Sequence, residues 1–181
     1  MKSEWNEYIL DELVIRNQGV NTTTEKVSYS DSGYPVIRAN NISDYVLDFQ
    51  NIVYVDNETF TRIKNPCKPK KNDILYTNIG SQLGSATKVK FDVEFIIAWN
   101  VLRLQTNDKI DADYLIYTLN SYQYKNYIKS LNSSSTMPFV SGSELGKIKF
   151  KIPPLPTQKK IAHILSTLDD KIELNRKMNL S

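Results

Sequence analysis

The chain has one cysteine, one histidine and no long apolar run, and these shortages exclude whole classes of function. A lone Cys67 cannot form an internal disulfide and gives no metal-site spacing. With His163 as the one imidazole, nucleophilic triads and zinc sites lack the partners they need. No stretch approaches the roughly 20 apolar residues of a membrane span. The start, Met1-Lys2-Ser3-Glu4-Trp5-Asn6-Glu7, lacks the apolar segment of a signal peptide. An unpaired thiol without an export signal points to a cytoplasmic protein. Glycine is also scarce, and no glycine-rich cofactor loop follows a strand. Asn65-Pro66-Cys67-Lys68 is the nearest approach to an amino-methyltransferase tetrad, but it lacks the second proline and the aromatic residue. Asp92 and Glu94 precede a strand, yet no nearby lysine completes a nuclease site. The expectation is a chain with no catalytic or metal site of its own.

What is present is a chain of 181 residues, enough for one domain and an appendage. Its formal charge of +3 is unevenly spread. Arg62, Lys64, Lys68, Lys70, Lys71, Lys88 and Lys90 face a single acid, Asp73, whereas Asp44, Asp48, Asp56 and Glu58 fall in a stretch with no basic residue. A polyanion would be held by the first segment and repelled by the second. A solvated, lysine-rich loop accounts for the same residues.

Tyr34–Arg38, Ile52–Val55, Asp73–Thr77, Ala86–Phe91 and Glu94–Leu104 are rich in β-branched and aromatic residues and read as strands. Lys147–Ile152 alternates polar and apolar residues, the period of a half-buried strand. Asp56 is placed to cap a short helix through Arg62. Asp111 is placed to cap a single helix over about Ala112–Leu131, and Ser141 with Glu144 to cap one more turn. These elements predict a mixed, strand-rich α+β domain over residues 1–152.

Ile152-Pro153-Pro154-Leu155-Pro156 ends that domain. Prolines so closely spaced predict a stiff, extended connector. Thr157 is expected to cap a long helix over Gln158–Asn179, within a second unit over residues 153–181. Ile161, Leu165, Leu168 and Ile172 step by four, three and four, the seam of a coiled coil, with Asn175 and Asn179 next on it. His163 falls off the seam. Such a helix can fold back on its own domain or pair with a second one.

The run Pro153-Pro154-Leu155-Pro156-Thr157-Gln158-Lys159-Lys160-Ile161-Ala162, continuing through Leu165 and Leu168-Asp169-Asp170-Lys171-Ile172 to Asn175, resembles a motif of type I restriction-modification specificity subunits. Trp5 with Leu10 and Leu13, Pro35-Val36-Ile37-Arg38, Asn72-Asp73-Ile74-Leu75 and Ser143 with Leu145 and Ile148 agree more loosely. Members usually hold two target recognition domains separated by two antiparallel helices, each domain reading half of a split DNA site. This chain has one domain and one helix, so the resemblance implies a half-subunit that pairs as a homodimer through Ile161, Leu165, Leu168, Ile172 and Asn175. It also implies double-stranded DNA, a modification subunit and a restriction subunit as partners. S-adenosylmethionine, ATP and Mg would then sit on those partner subunits, with no cofactor on this chain.

Under that resemblance Lys68, Lys70, Lys71 and Lys88 suit phosphate contacts. Asn78, Ser81, Gln82 and Ser85, in the loop from Thr77 to Thr87, suit base contacts, because asparagine and glutamine pair bidentately with adenine. Arg38 and Asn40 follow a strand, and Ser134 and Thr136 lie in a second polar loop. Each of these also has an ordinary role in turns. A docking module that binds a partner through its helix and reads no DNA remains the rival.

Overall fold

Short apolar runs, each ended by a polar turn, assemble into two four-stranded sheets that meet at Gly19 and Ala98. The computed structural model describes residues 5–132 and 136–179. In the first sheet β2 (Val14–Gln18), β11 (Val101–Thr106), β8 (Ile74–Thr77) and β9 (Ala86–Lys88) lie side by side, all antiparallel. In the second, β10 (Ile96–Ile97) runs parallel to β4 (Tyr34–Ile37). Next come β7 (Val53–Val55) and β3 (Tyr29–Ser30). A small hairpin, β5 (Ile42–Ser43) and β6 (Val46–Leu47), leans on the edge of the first sheet, where Tyr45 N–H donates to the Ala86 carbonyl at 3.0 Å. Finally, β1 (Asn6–Ile9) pairs antiparallel with β12 (Lys149–Ile152).

Strand β8 is buried throughout, and its alternation shows why. Ile74 and Tyr76 enter one core while Leu75 enters another, so the strand is the wall between them. The larger core is closed by the helices α2 (Ala112–Leu119), α3 (Tyr122–Ser130) and α4 (Gly142–Gly146). On the second sheet, α1 (Asn57–Arg62) brings Phe60 against Tyr34, ring centroids 3.8 Å apart. The caps act as the sequence predicts. Asp56 accepts from Thr59 N–H at 2.7 Å, Asp111 from Tyr114 N–H at 3.0 Å, and Ser141 forms a capping box with Glu144.

Three expectations are corrected. The single helix over Ala112–Leu131 is two: the backbone turns extended at Ser121, and Asn120, the C-cap of the first helix, pairs its side chain with a strand edge. Its side chain accepts from Ala86 N–H at 3.0 Å and donates to the Ala86 carbonyl at 2.9 Å, while Ser121 caps the second helix. The strand expected over Glu94–Leu104 turns at Trp99-Asn100 and changes sheets. The last helix, α5 (Leu155–Asn179), starts before Thr157, so Thr157 lies inside it and is no cap. Pro156 sits in its first turn, where the missing N–H has no intrahelical acceptor to lose. The extended connector shrinks to Pro153-Pro154.

The start of α5 is fixed by one side chain. Gln158, 1% exposed, accepts from Asp111 N–H at 2.8 Å and donates to the Lys109 and Pro153 carbonyls at 3.0 and 2.9 Å. One amide thereby ties the entry to α2, the turn before it and the end of β12 to the new helix. Ala162 is buried and Ile161 packs on the larger core. Farther along, Ile164, Leu168, Ile172 and Leu174 are exposed.

Candidate nucleic-acid interface

The polar residues predicted to act together lie at opposite ends of β8. That strand separates the Cα atoms of Ile74 and Asn78 by about 13 Å. Lys70 and Lys71 precede it, and the antiparallel register brings Lys88 beside Ile74, at the same end. Asn78, Ser81, Gln82 and Ser85 follow it, at the other end. The structure therefore gathers Lys68, Lys70, Lys71 and Lys88 near one end and the amide- and hydroxyl-bearing loop at the other.

At the lysine end the positive charge is partly spent within the fold. Lys88 is paired with Asp113, and the Lys68 ammonium lies 4.4 Å from the centre of the Phe60 ring. Beneath them Arg103 Nε donates to Asp73 Oδ2 at 2.6 Å, both side chains nearly buried. Asp73 also accepts from Lys70 N–H at 2.6 Å, and Arg103 donates to the Asn65 carbonyl at 3.2 Å. Asp73, the one acid in sequence between Arg62 and Lys90, is thus the anchor of the loop that carries Lys70 and Lys71, and Asp92 and Glu94 line the same cavity as those lysines. Lys70 and Lys71 remain exposed.

At the other end the loop is closed on itself by backbone hydrogen bonds. Gly84 N–H donates to the Thr77 carbonyl and Thr77 N–H to the Ser85 carbonyl, both at 2.9 Å. Gly80, at φ 106°, and Gly84, at φ 89°, supply the left-handed backbone this closure requires. Asn78 is 1% exposed and acts as a junction. Its side chain accepts from Gln18 Nε2 and donates to the Val140 carbonyl, each at 3.3 Å, and its N–H donates to the Asn100 carbonyl at 3.4 Å. Ser85 is likewise buried. The expectation that Asn78 and Ser85 offer side chains to a ligand is corrected: both face inward. Ser81 is exposed and Gln82 half-buried. Pairing of Ile79 with Phe139 brings the second polar loop alongside, with Thr136 exposed. Ser134 lies outside the described residues.

Arg38 and Asn40 join this end through the second sheet. Because Ile37 pairs in parallel with Ile97, Arg38 and the segment after Ile97 leave the sheet at the same end. Arg38 donates to the Asn51 carbonyl at 3.1 Å, and Asn40 is exposed. The residues missed from the sequence are Gln18, Trp99 and Asn100. Trp99 is 46% exposed on a turn, although the run around it reads as a buried strand. The signal was Asn100, the polar residue that directly follows the indole inside an otherwise apolar run.

A second polar cluster ties α5 to the domain. The Tyr117 hydroxyl donates to Asp169 Oδ2 at 2.7 Å, and the Tyr117 ring meets that of Tyr45 at 5.4 Å. Burial, then the Asp169 carboxylate, pushes both phenols above their ordinary value. Of the seam expected on α5, Ile161 is turned to its own core and Leu165 is half-buried, so these two are not open for pairing along their whole surface. Leu168, Ile172 and Asn175 are exposed, and so is His163. Among the described residues no group of His, Cys, Asp and Glu side chains could hold a metal ion, and no helix is long and apolar enough to cross a membrane.

This fold is shared with solved specificity subunits of type I restriction-modification systems. Over 98% of this chain it matches the HsdS subunit from Thermoanaerobacter tengcongensis, with a TM-score of 0.69 at 14% identity, covering 40% of that subunit. It matches the type I restriction-modification S subunit from M. genitalium over the same share, with a TM-score of 0.63 at 20% identity and 42% of that chain. The model of the type I restriction modification DNA specificity domain matches residues 2–180, and the chain belongs to that family. The protein named as the MjaX type I restriction enzyme specificity subunit, from Methanocaldococcus jannaschii, is 33% identical over 165 residues, 84% of this chain and 37% of that protein. The HindI specificity subunit of Haemophilus influenzae is 32% identical over 114 residues, 61% of this chain and 25% of that protein. The chain thus spans less than half of the length of each of these proteins.

Proposed function

We propose that this chain reads one half of a split DNA site for a type I restriction-modification complex and brings no catalytic group of its own. The observation that carries this reading is membership of the DNA specificity family across residues 2–180. The geometry supports a division of labour. The loop end of β8, with Arg38, Asn40, Ser81, Gln82 and Thr136, offers donors and acceptors for base edges. Lys70 and Lys71, exposed at the other end, contact phosphates, with Lys68 and Lys88 contributing charge from their pairs with Phe60 and Asp113. Methylation and cleavage belong to a modification and a restriction subunit in the cytoplasm, and S-adenosylmethionine, ATP and Mg to those subunits.

The second half of the site is supplied by a second copy. The exposed Leu168 and Ile172 stripe, continued by Asn175, is the face for that pairing, flanked by Ile164 and Leu174. At about 37 Å, α5 matches the roughly 34–36 Å between half-sites one helical turn apart. The test is co-expression with a matching modification subunit and mapping of methylated adenines in the host DNA. A symmetric, two-part motif is expected. An asymmetric motif would mean that a different chain supplies the second half. Stable co-purification without any motif would leave a docking module and overturn the reading.

A further inference from the structure

We propose that Trp99 contacts the C5-methyl group of a thymine in the recognised site, an inference that rests on the DNA-reading role above. The indole stands on a turn closed by Val101 N–H donating to the Ala98 carbonyl at 2.9 Å. Three further contacts pin that turn. Ala98 N–H donates to the Ile37 carbonyl at 2.9 Å, Gln18 Nε2 to the Trp99 carbonyl, and Asn78 N–H to the Asn100 carbonyl at 3.4 Å. Gly19 permits the close approach, since a Cβ there would stand 2.2 Å from the Ala98 carbonyl oxygen. An aromatic ring on so fixed a turn loses little freedom when a partner covers it.

Polar residues flank the turn. Arg38 leaves the sheet at the same end, and Gln18 and Asn78 lie against the turn. The Asn78 junction leads directly into the loop that carries Ser81 and Gln82. Hydrogen-bonding arms of this kind read the base edges but leave the one apolar feature of the major groove, the thymine methyl, to an apolar side chain. Trp99 is an exposed aromatic residue among them. Its exposure decides the mode of contact. At 46% exposed, more than half of the residue is covered by its own protein, so the indole does not stand free as a wedge inserted between base pairs must, and contact with a base edge is the mode that fits.

The experiment uses the complex reconstituted with the modification subunit and a duplex carrying the mapped motif, with each thymine replaced in turn by deoxyuridine, which lacks the methyl. One replacement per half-site weakens wild-type binding by about fourfold, the effect of one buried methyl. Trp99→Ala binds the thymine duplex more weakly and is indifferent to that same replacement, and Trp99→Phe recovers part of the difference. A wild-type complex insensitive to every deoxyuridine overturns the proposal, as does a half-site without any A·T pair. Equal sensitivity in Trp99→Ala, with an unchanged unfolding midpoint, also overturns it. If the wild-type complex shows no preference for the motif over a shuffled duplex, the DNA-reading role itself fails.

Discussion

The two ends of strand β8 carry equally polar sequence, yet they are built in opposite ways. At the lysine end a buried ion pair, Arg103 with Asp73, supports long, exposed cationic side chains. At the loop end a buried amide, Asn78, supports short side chains and an indole. A charge acts over several ångströms, so the cationic end tolerates flexible stems. Base-edge hydrogen bonds need fixed geometry, and the loop end supplies it with backbone closure and positive-φ glycines. The comparison teaches that a buried polar residue in such a domain is part of the support, and the reading groups are its exposed neighbours.

The largest effect is expected from breaking the support of the lysine end. Asp73→Ala leaves Arg103 buried without its carboxylate, and a loss of about 3–5 kcal/mol in denaturant unfolding is expected. A loss below about 1 kcal/mol would show that water reaches the pair. Breaking the other support costs less, because it is uncharged. Asn78→Ala strands the Val140 carbonyl and part of Gln18, and an unfolding loss of about 1–3 kcal/mol is expected. The same substitution at Gln82, half-buried in the same loop, is expected to leave stability within about 0.5 kcal/mol. Equal losses at Asn78 and Gln82 would erase the distinction between support and reader.

Parts of this design are readable from residue order and parts are not. The caps at Asp56, Asp111 and Ser141 follow from local chemistry, since each bonds an amide three residues on. Leu165, Leu168 and Ile172 are apolar at helical spacing, so the last helix is visible too, although its start at Leu155 is not. That start depends on Gln158, whose partners Asp111 and Lys109 are remote in sequence. Asn120, beside the helix break, has its partner Ala86 remote in the same way. Asn78 and Gln82 look alike in sequence, and only the approach of Gln18 and Val140 turns one into a buried junction. Lys71 and Asn78 look adjacent because a four-residue strand hides a separation that is large on the scale of a side chain.

The most direct test of the division of labour sets two variants side by side in the reconstituted complex. Lys70→Ala with Lys71→Ala is expected to weaken binding to all sequences and to reduce the slope of log affinity against log salt by about 1.8, at about 0.9 per phosphate contact, with the methylated motif unchanged. Gln82→Ala is expected to relax the motif at one position and to leave the slope alone. A double-lysine variant with an altered motif, or a Gln82 variant with an altered slope and an intact motif, would contradict the account.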